Sequence, residues 1–151
     1  MTSRISHITV DARNAYTQSV WWAGVLGMSE DPEDPNEPGH EECMIFSPDG
    51  RTRVLFIEVP EAKPELKNRL HFDLRPVDGT REQEVERVSR LGATLVADRR
   101  LPDGSGWVTL SDPEGNEFCV LRGDSEIDDP HAHLVTHLND AERQGTSASG
   151  H

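Results

Sequence analysis

Five residues, spread from position 7 to position 119 of the chain, have side chains that could bind a divalent metal ion. They are His7, Glu58, His71, Glu117 and Cys119. Two imidazoles with one or two carboxylates suit a first-row divalent ion that keeps coordination positions open for a substrate. Such an ion polarises substrate oxygens and stabilises an enediolate, while a carboxylate transfers the proton. The alternative is structural: both histidines are hydrogen-bonded lining residues, and Glu58 pairs with an arginine.

Strand periodicity decides which of these side chains share a face, because successive residues of a strand point to opposite sides of the sheet. The stretch RLHFDLR places His71, Asp73 and Arg75 on one face, with leucine and phenylalanine on the other. In the last strand Glu117 and Cys119 likewise share a face. The apolar faces must pack on helices, so we expect the polar faces to look into a common concavity.

Glu58 is the only ionisable residue in the apolar run VLFIEV. The sequence therefore predicts a buried carboxylate, and a buried carboxylate requires a partner. A metal ion, Arg75 or the substrate could supply that partner.

The elements that position these residues occur in the same order twice. The first half predicts a strand at 4–10, a helix from 11–14 to Gly27 with Tyr16, Val20, Ala23 and Leu26 at helical spacing, and strands at 42–47 and 53–59. The second half predicts a strand at 69–75, a helix at 80–91 with Val85 and Val88 inward, and strands at 94–97, 107–110 and 117–121.

Landmarks recur along the chain at nearly one offset, which indicates an internal repeat. His7 and His71 are 64 residues apart, and the offset from Gly27 to Gly92 is 65. We therefore predict an α+β fold of two βαβββ modules, which form a cup-shaped mixed sheet with the helices outside. The predicted domain covers residues 1–122, with module 1 at about 4–59 and module 2 at about 69–122.

The acidic residues are concentrated outside the predicted modules. The chain has 28 acids and 15 bases, a net charge of -13. Residues 30–42, a proline-rich stretch without regular structure, hold seven acids and no base, and residues 123–151 carry a net -5. A polyanion repels phosphate backbones and anionic lipids, so we expect neither nucleic-acid nor membrane binding. No apolar run approaches the roughly 20 residues of a membrane helix.

The cysteines and the tail indicate the expected compartment. Cys43 and Cys119 lie in apolar, strand-like runs, and buried reduced thiols are typical of a cytoplasmic protein. The tail, 123–151, is rich in acids, Ser, Gly and His and is predicted to be disordered, with a helical turn at 133–143. Its His131, His133 and His137 could hold a metal, but a solvated tail is the preferred interpretation.

At several of these segments the chain resembles a known superfamily. The matching segments are HITV from His7, WWAGVLG ending at Gly27, NRLHFDL around His71, LGA at 91–93 and WVTLSDPEGNEFCVL at 107–121. Together they resemble the vicinal oxygen chelate superfamily, in its glyoxalase-like, bleomycin-resistance-like subgroup. The resemblance covers residues 4–122 and is most specific in the closing hairpin.

The resemblance implies paired βαβββ modules and, in metal-binding members, a His or Gln, a Glu, a His and a final Glu as ligands. His7, Glu58 and His71 match the first three positions. The last position holds Cys119, and Glu117 lies two residues nearer the turn, roughly 6–7 Å along the strand. Either residue completes the site, or three ligands remain, or no metal binds. A thiolate would shift the preference among Ni, Zn, Fe and Mn toward zinc or iron.

Three functions compete at this point. The first is a metal-dependent lyase, isomerase or ring-opening enzyme that chelates vicinal oxygens of a small substrate, with Glu58 and Glu117 as catalytic carboxylates. The second is a metal-free protein that sequesters a drug-like or aromatic metabolite in a Trp-lined cavity. The third is an interaction module whose acidic segments contact a basic partner. For the first two, the expected substrate-binding residues are Trp21, Asp73, Arg75, Trp107 and Cys119. The resemblance also implies a homodimer.

Overall fold

In the computed structural model the chain divides into two compact units, one from Met1 to Glu65 and one that starts at Leu66. The structure describes residues 1–127, so the predictions for His131, His133, His137 and the turn at 133–143 lie outside the described residues. Each unit contains one α-helix and one mixed sheet, which confirms the α+β class. Within residues 1–127, no helix is long and apolar enough to cross a membrane.

The first unit is built from three strands and a helix. Its elements are β1 (Ile8–Ala12), α1 (Ala15–Leu26), β2 (Glu42–Phe46) and β3 (Arg53–Glu58). The strand order is β1-β3-β2, with β1 parallel and β2 antiparallel to β3. A single bridge from Ser29 to Phe46 stands where a fourth strand of a βαβββ module would lie. The prolines that follow Ser29 cannot donate to a sheet ladder, so the pairing ends there.

Helix α1 begins and ends where the sequence predicts. Asn14 caps its start, with Oδ1 accepting a hydrogen bond from the backbone N–H of Thr17 at 3.0 Å. Gly27 ends it in the left-handed conformation, at φ 64°. The predicted apolar stripe is not the buried one, because Val20 is 55% exposed. The buried positions are Ala15, Gln18, Ser19, Trp22 and Val25. The large Trp22 side chain lies on the face that packs against β2 and β3.

The second unit has four strands and a helix. Its elements are β4 (Asp73–Leu74), α2 (Arg81–Arg90), β5 (Thr94–Asp98), β6 (Val108–Ser111) and β7 (Glu117–Val120). The strand order is β4-β7-β6-β5, and β4 is parallel to β7. Thr80 and Gln83 form a capping box at the start of α2. The predicted inward residue Val88 is fully buried, whereas Val85 is half-buried.

Two predicted strands differ from the structure by more than one residue at an end, whereas the other predicted strands agree to within one residue. β1 runs over Ile8–Ala12 rather than 4–10, because its partner β3 extends to Glu58 and pairs with Ala12. β4 covers two residues rather than the predicted 69–75. The prediction that Leu70 packs on a helix is wrong, because its side chain is 91% exposed. β7 begins at Glu117, which the Asp73–Cys119 register places opposite His71, so Leu70 and the residues before it have no strand to pair with.

The two units share one internal register. Ile8 lies beside Val54, and Asp73 lies beside Cys119, so both parallel pairs join residues 46 positions apart. In each unit the first strand therefore closes on the last, and the last strand also pairs with the one before it. The two halves of the chain that the sequence predicts to be repeats therefore have the same strand pairing.

Candidate metal and substrate site

Three side chains of the second unit converge into a group that could hold a metal ion. They are His71, Asp73 and Cys119, and one ligand atom from each lies within 4.8 Å of the others. His71 Nδ1 is 3.2 Å from Asp73 Oδ1. The group therefore offers a nitrogen, an oxygen and a sulfur donor to one position in space.

The pairing of β4 with β7 brings these side chains together. Asp73 and Cys119 are register partners in the parallel pair, and partners in a ladder project to the same face. The Cys119 N–H donates to the carbonyl of Phe72 at 2.9 Å, which fixes this register. His71 lies two residues before Asp73, on the same side of the chain. The sequence predicts that His71 and Asp73 share a face, and the pairing of β4 with β7 brings Cys119 to the same face.

Cys119 lies in a mostly apolar surrounding. Its side chain is 3% exposed and clusters with Trp107 and Leu121. Thr109 Oγ1 lies 3.4 Å from the sulfur. Burial raises the pKa of the Cys119 thiol, the Thr109 contact opposes that rise, and the charge of Asp73 adds to it. The thiol therefore keeps its proton at neutral pH unless a cation replaces it.

The donor set fits a first-row divalent ion. Zinc binds thiolate sulfur at about 2.3 Å and imidazole nitrogen or carboxylate oxygen at about 2.0–2.2 Å. Donor atoms within 4.8 Å of one another can approach one such ion after small side-chain rotations. His71 and Asp73 are exposed enough to rotate, whereas Cys119 is buried and fixed by its strand. Three protein donors leave coordination positions for substrate oxygens.

Glu117 holds the segment that leads into β4. Its Oε2 accepts the backbone N–H of Asn68 at 3.0 Å, and its backbone carbonyl accepts Asn68 Nδ2 at 3.2 Å. The carboxylate therefore anchors the chain three residues before His71. The assignment of Glu117 as a metal ligand or a catalytic carboxylate stays a prediction.

The first unit contains the two remaining predicted ligands, His7 and Glu58. His7 is exposed, precedes β1 and lies 3.1 Å, through Nδ1, from Ser6 Oγ. Glu58 is also exposed, so the prediction of a buried carboxylate is wrong. It is the last residue of β3, where the apolar packing ends. Glu58 pairs with Ala12, five residues beyond His7 and roughly 16 Å along the strand, so the structure does not bring the two together.

Arg75 lies two residues after Asp73 and is held at the end of β4. Its Nη1 donates to the carbonyl of Arg122 at 2.6 Å, and its Nε is 3.9 Å from Asp124 Oδ1. Its Nη2 is buried and, within residues 1–127, has no hydrogen-bond partner. Burial lowers the pKa of the Arg75 guanidinium, while Asp124 partly restores it and Arg122 lowers it further.

The tryptophans divide between the two units. Trp21 and Trp22 meet edge to face, with ring centroids 5.0 Å apart. Trp22 is buried and Trp21 is half-buried, as expected for neighbours on a helix that packs on a sheet. Trp107 is buried beside Cys119. Trp107 therefore lies next to the metal-ligating group, and the substrate-binding role of Trp21 stays a prediction.

Three participants of this region were not assigned these roles from the sequence. Asp73 was expected to contact substrate, yet its carboxylate joins the possible metal ligands. Asn68 and Thr109 were not singled out at all. The alternation through His71 is a signal for Asp73. The contacts of Asn68 and Thr109 depend on strand pairing across many residues and have no local signal.

Comparison with known proteins identifies a family. A family model described as a glyoxalase-like domain matches residues 7–121, most of the chain. No curated protein sequence gives a significant match.

Solved structures with similar folds include two fosfomycin resistance proteins. FosX from Mesorhizobium loti is 19% identical, with a TM-score of 0.59, over 89% of this chain and 99% of that chain. A variant of FosX from Listeria monocytogenes, in complex with Mn(II) and a dihydroxypropylphosphonic acid, is 18% identical, with a TM-score of 0.57, over 83% and 94%. A possible glyoxalase from Bacillus cereus is 14% identical, with a TM-score of 0.54, over 80% and 99%. At these identities the likeness shows a shared fold.

Proposed function

This chain belongs to the glyoxalase-like family of the vicinal oxygen chelate superfamily, and on that premise we propose that it is a metal-dependent enzyme acting on a small molecule. The observation that carries the proposal is the convergence of His71, Asp73 and Cys119 donors within 4.8 Å. When bound, a divalent ion supplies Lewis-acid polarisation of two neighbouring substrate oxygens. Isomerisation, lyase chemistry and ring opening all begin with such polarisation.

Residues around His71, Asp73 and Cys119 are proposed to orient the ligands, exclude water and transfer a proton. His71 and Asp73 orient each other through their 3.2 Å contact. Trp107 and Leu121 exclude water from the side of Cys119. Glu117 lies two residues from Cys119 on the same strand face, and the proposal gives its carboxylate the role of moving a proton. The hydrogen bond from the Asn68 N–H holds this carboxylate. His7 and Glu58 remain predicted contributors, and the proposal does not depend on them.

The donor set favours zinc or iron over nickel and manganese. A thiolate is a soft ligand that suits zinc and iron, whereas sites built from carboxylates and water suit manganese. The Listeria FosX structure contains Mn(II), whereas the buried Cys119 in the donor set of this chain favours zinc or iron.

Metal analysis of the protein, purified without a histidine tag, tests the proposal. We expect about one equivalent of metal in the wild type and loss of that metal in His71→Ala. Cys43→Ser is the matched control, because Cys43 is the buried free thiol of the other unit. Absence of bound metal after reconstitution with nickel, zinc, iron and manganese would contradict the proposal.

A metal-free binding protein is the second candidate. The packing of Trp107 against Cys119 and Leu121 favours it, because an aromatic surface beside a protonated thiol suits an apolar ligand. Titration of tryptophan fluorescence with aromatic metabolites in the presence of a chelator separates the two functions. Saturable quenching without metal, lost in Trp107→Leu, would favour this candidate.

We also propose a cytoplasmic homodimer that binds neither nucleic acid nor membranes. The exposed apolar side chains of Leu95 and Val96, on the edge strand β5, support an interface with a second copy. Two buried free thiols are typical of a reducing compartment. Sedimentation equilibrium tests the dimer, and a concentration-independent monomer mass would exclude it.

A further inference from the structure

Arg75 carries a buried cationic group whose hydrogen bonds are incomplete. Its side chain is only 14% exposed, and Nη1 donates a hydrogen bond to the Arg122 carbonyl. The other terminal nitrogen, Nη2, is buried and has no hydrogen-bond partner within residues 1–127. Buried donors in folded proteins are almost always paired, so such a donor indicates a partner that residues 1–127 do not supply.

Within residues 1–127, no carboxylate lies at hydrogen-bond distance from the Arg75 guanidinium. The Asp124 carboxylate is half-exposed and 3.9 Å from Nε. Asp124 and Glu126 favour the charged guanidinium from a distance, while Arg122 opposes them. A buried guanidinium normally pairs at hydrogen-bond distance with a carboxylate or phosphate. The surroundings of Nη2 therefore favour an anion over a neutral acceptor.

The position of Arg75 relates this donor to the metal-ligating group. Arg75 follows Asp73 by two residues, which is roughly 6–7 Å along an extended chain. The chain stays extended there, since the Leu121 N–H donates to the Leu74 carbonyl at 2.8 Å. Arg75 is thus on the same side of the chain as His71 and Asp73. A small organic acid spans the distance between them.

We propose that Arg75 binds an oxyanion of the substrate, a carboxylate or a phosphonate, whose neighbouring oxygens reach His71, Asp73 and Cys119. The placement of those neighbouring oxygens rests on the proposed function. The anion contact itself needs only Nη2, which carries two N–H donors. The substrate class is therefore a small acid with vicinal oxygens rather than a neutral carbonyl compound.

Titration of the metal-free protein with malonate, methylphosphonate and neutral malonamide tests the anion contact. We expect saturable binding of malonate or methylphosphonate, followed by calorimetry, and none of malonamide. Arg75→Met should weaken anion binding by about 10- to 100-fold, the range of a charge-assisted hydrogen bond. Arg99→Met is the matched control, because Arg99 is an exposed arginine of the same unit. The two anions distinguish a carboxylate from a phosphonate site.

Equal binding to wild type and Arg75→Met would overturn the proposal, as would equal binding of malonamide or no saturable binding to the wild type. If circular dichroism shows that Arg75→Met does not fold, an NMR measurement on the wild-type protein still tests the proposal. The guanidinium N–H signals of Arg75 in nitrogen-edited NMR should shift on addition of malonate. Unchanged signals at saturating malonate would overturn the proposal.

Metal content, measured on the same preparations, separates this inference from the proposed function. Anion binding without any metal uptake would refute the metal-dependent enzyme and leave the Arg75 contact in place. Metal uptake without anion binding would refute the Arg75 contact and leave the metal site in place.

Discussion

Metal binding through Cys119 must release the thiol proton, which gives the proposed site a characteristic pH dependence. Burial raises the pKa of Cys119 above its ordinary value, so the metal-free thiol is protonated through the neutral range. A divalent ion binds the thiolate, not the thiol. Higher pH therefore favours binding, and below the thiol pKa each pH unit changes the apparent association constant about tenfold, or about 1.4 kcal/mol.

Cobalt titration followed by absorption provides the assay, because a thiolate bound to Co(II) gives a charge-transfer band. The useful window is about pH 7.5 to 9, above the titration range of ordinary imidazoles and carboxylates. We expect the logarithm of the association constant to rise by about one per pH unit in the wild type. Cys119→Ser should flatten this dependence and remove the band. Cys43→Ser, the change of the other buried thiol, should preserve both.

Two results would refute this reasoning. A pH-independent affinity without a charge-transfer band in the wild type would mean that Cys119 does not bind the ion. A unit slope that persists in Cys119→Ser would assign the released proton to another group. Either result would leave His71 and Asp73, with the predicted Glu117, as the protein ligands of the second unit.

Three further predictions concern stability, measured as the free energy of unfolding in urea. Asn68→Asp removes an amide donor from Glu117 and adds a like charge beside it. It should destabilise the protein by about 1–3 kcal/mol, the cost of an acceptor that loses its donor; an unchanged free energy of unfolding would contradict this. Gly106 and Gly104 both have positive φ, at 85° and 88°, but a methyl group at Gly106 alone would collide with the Arg99 carbonyl. Gly106→Ala should therefore cost more than Gly104→Ala, and equal costs would contradict the collision. Burial raises the pKa of both cysteine thiols, so their contribution to stability is present below the unfolded-state pKa and is lost as pH rises through the folded-state values. Unfolding free energy that stays constant above pH 9 would contradict this.

Features with a local cause could be predicted from the sequence. Thr80 and Gln83 form the capping box of α2 with groups no more than three residues apart. Asn14 and Gly27 bound α1 for the same reason, because caps depend on side chains and backbone within one turn. The shared face of His71 and Asp73 also follows from alternation alone.

Features that depend on distant partners could not be predicted in detail. The predicted strand at 69–75 cannot pair before His71, because β7 starts only at Glu117, the position opposite His71, and no periodicity near residue 73 records this. Glu58 was expected to be buried because its neighbours are apolar, but it terminates β3 and is exposed. Cys119 and Asp73 become neighbours only through the β4–β7 register. The alternation of residue types indicates which side chains share one face of a strand. The register of strand pairing decides which side chains of two strands become neighbours.

The parallel pairing of β4 with β7, the first and last strands of the second unit, has a consequence for folding. Asp73 and Cys119 are 46 residues apart, so their contact requires closure of a long loop and forms late relative to α2 or the β6–β7 hairpin. The unfolded chain therefore has no preassembled donor set, and metal uptake is coupled to completion of the second sheet. During synthesis, the donor set cannot form until β7 has left the ribosome and β4 has closed on it.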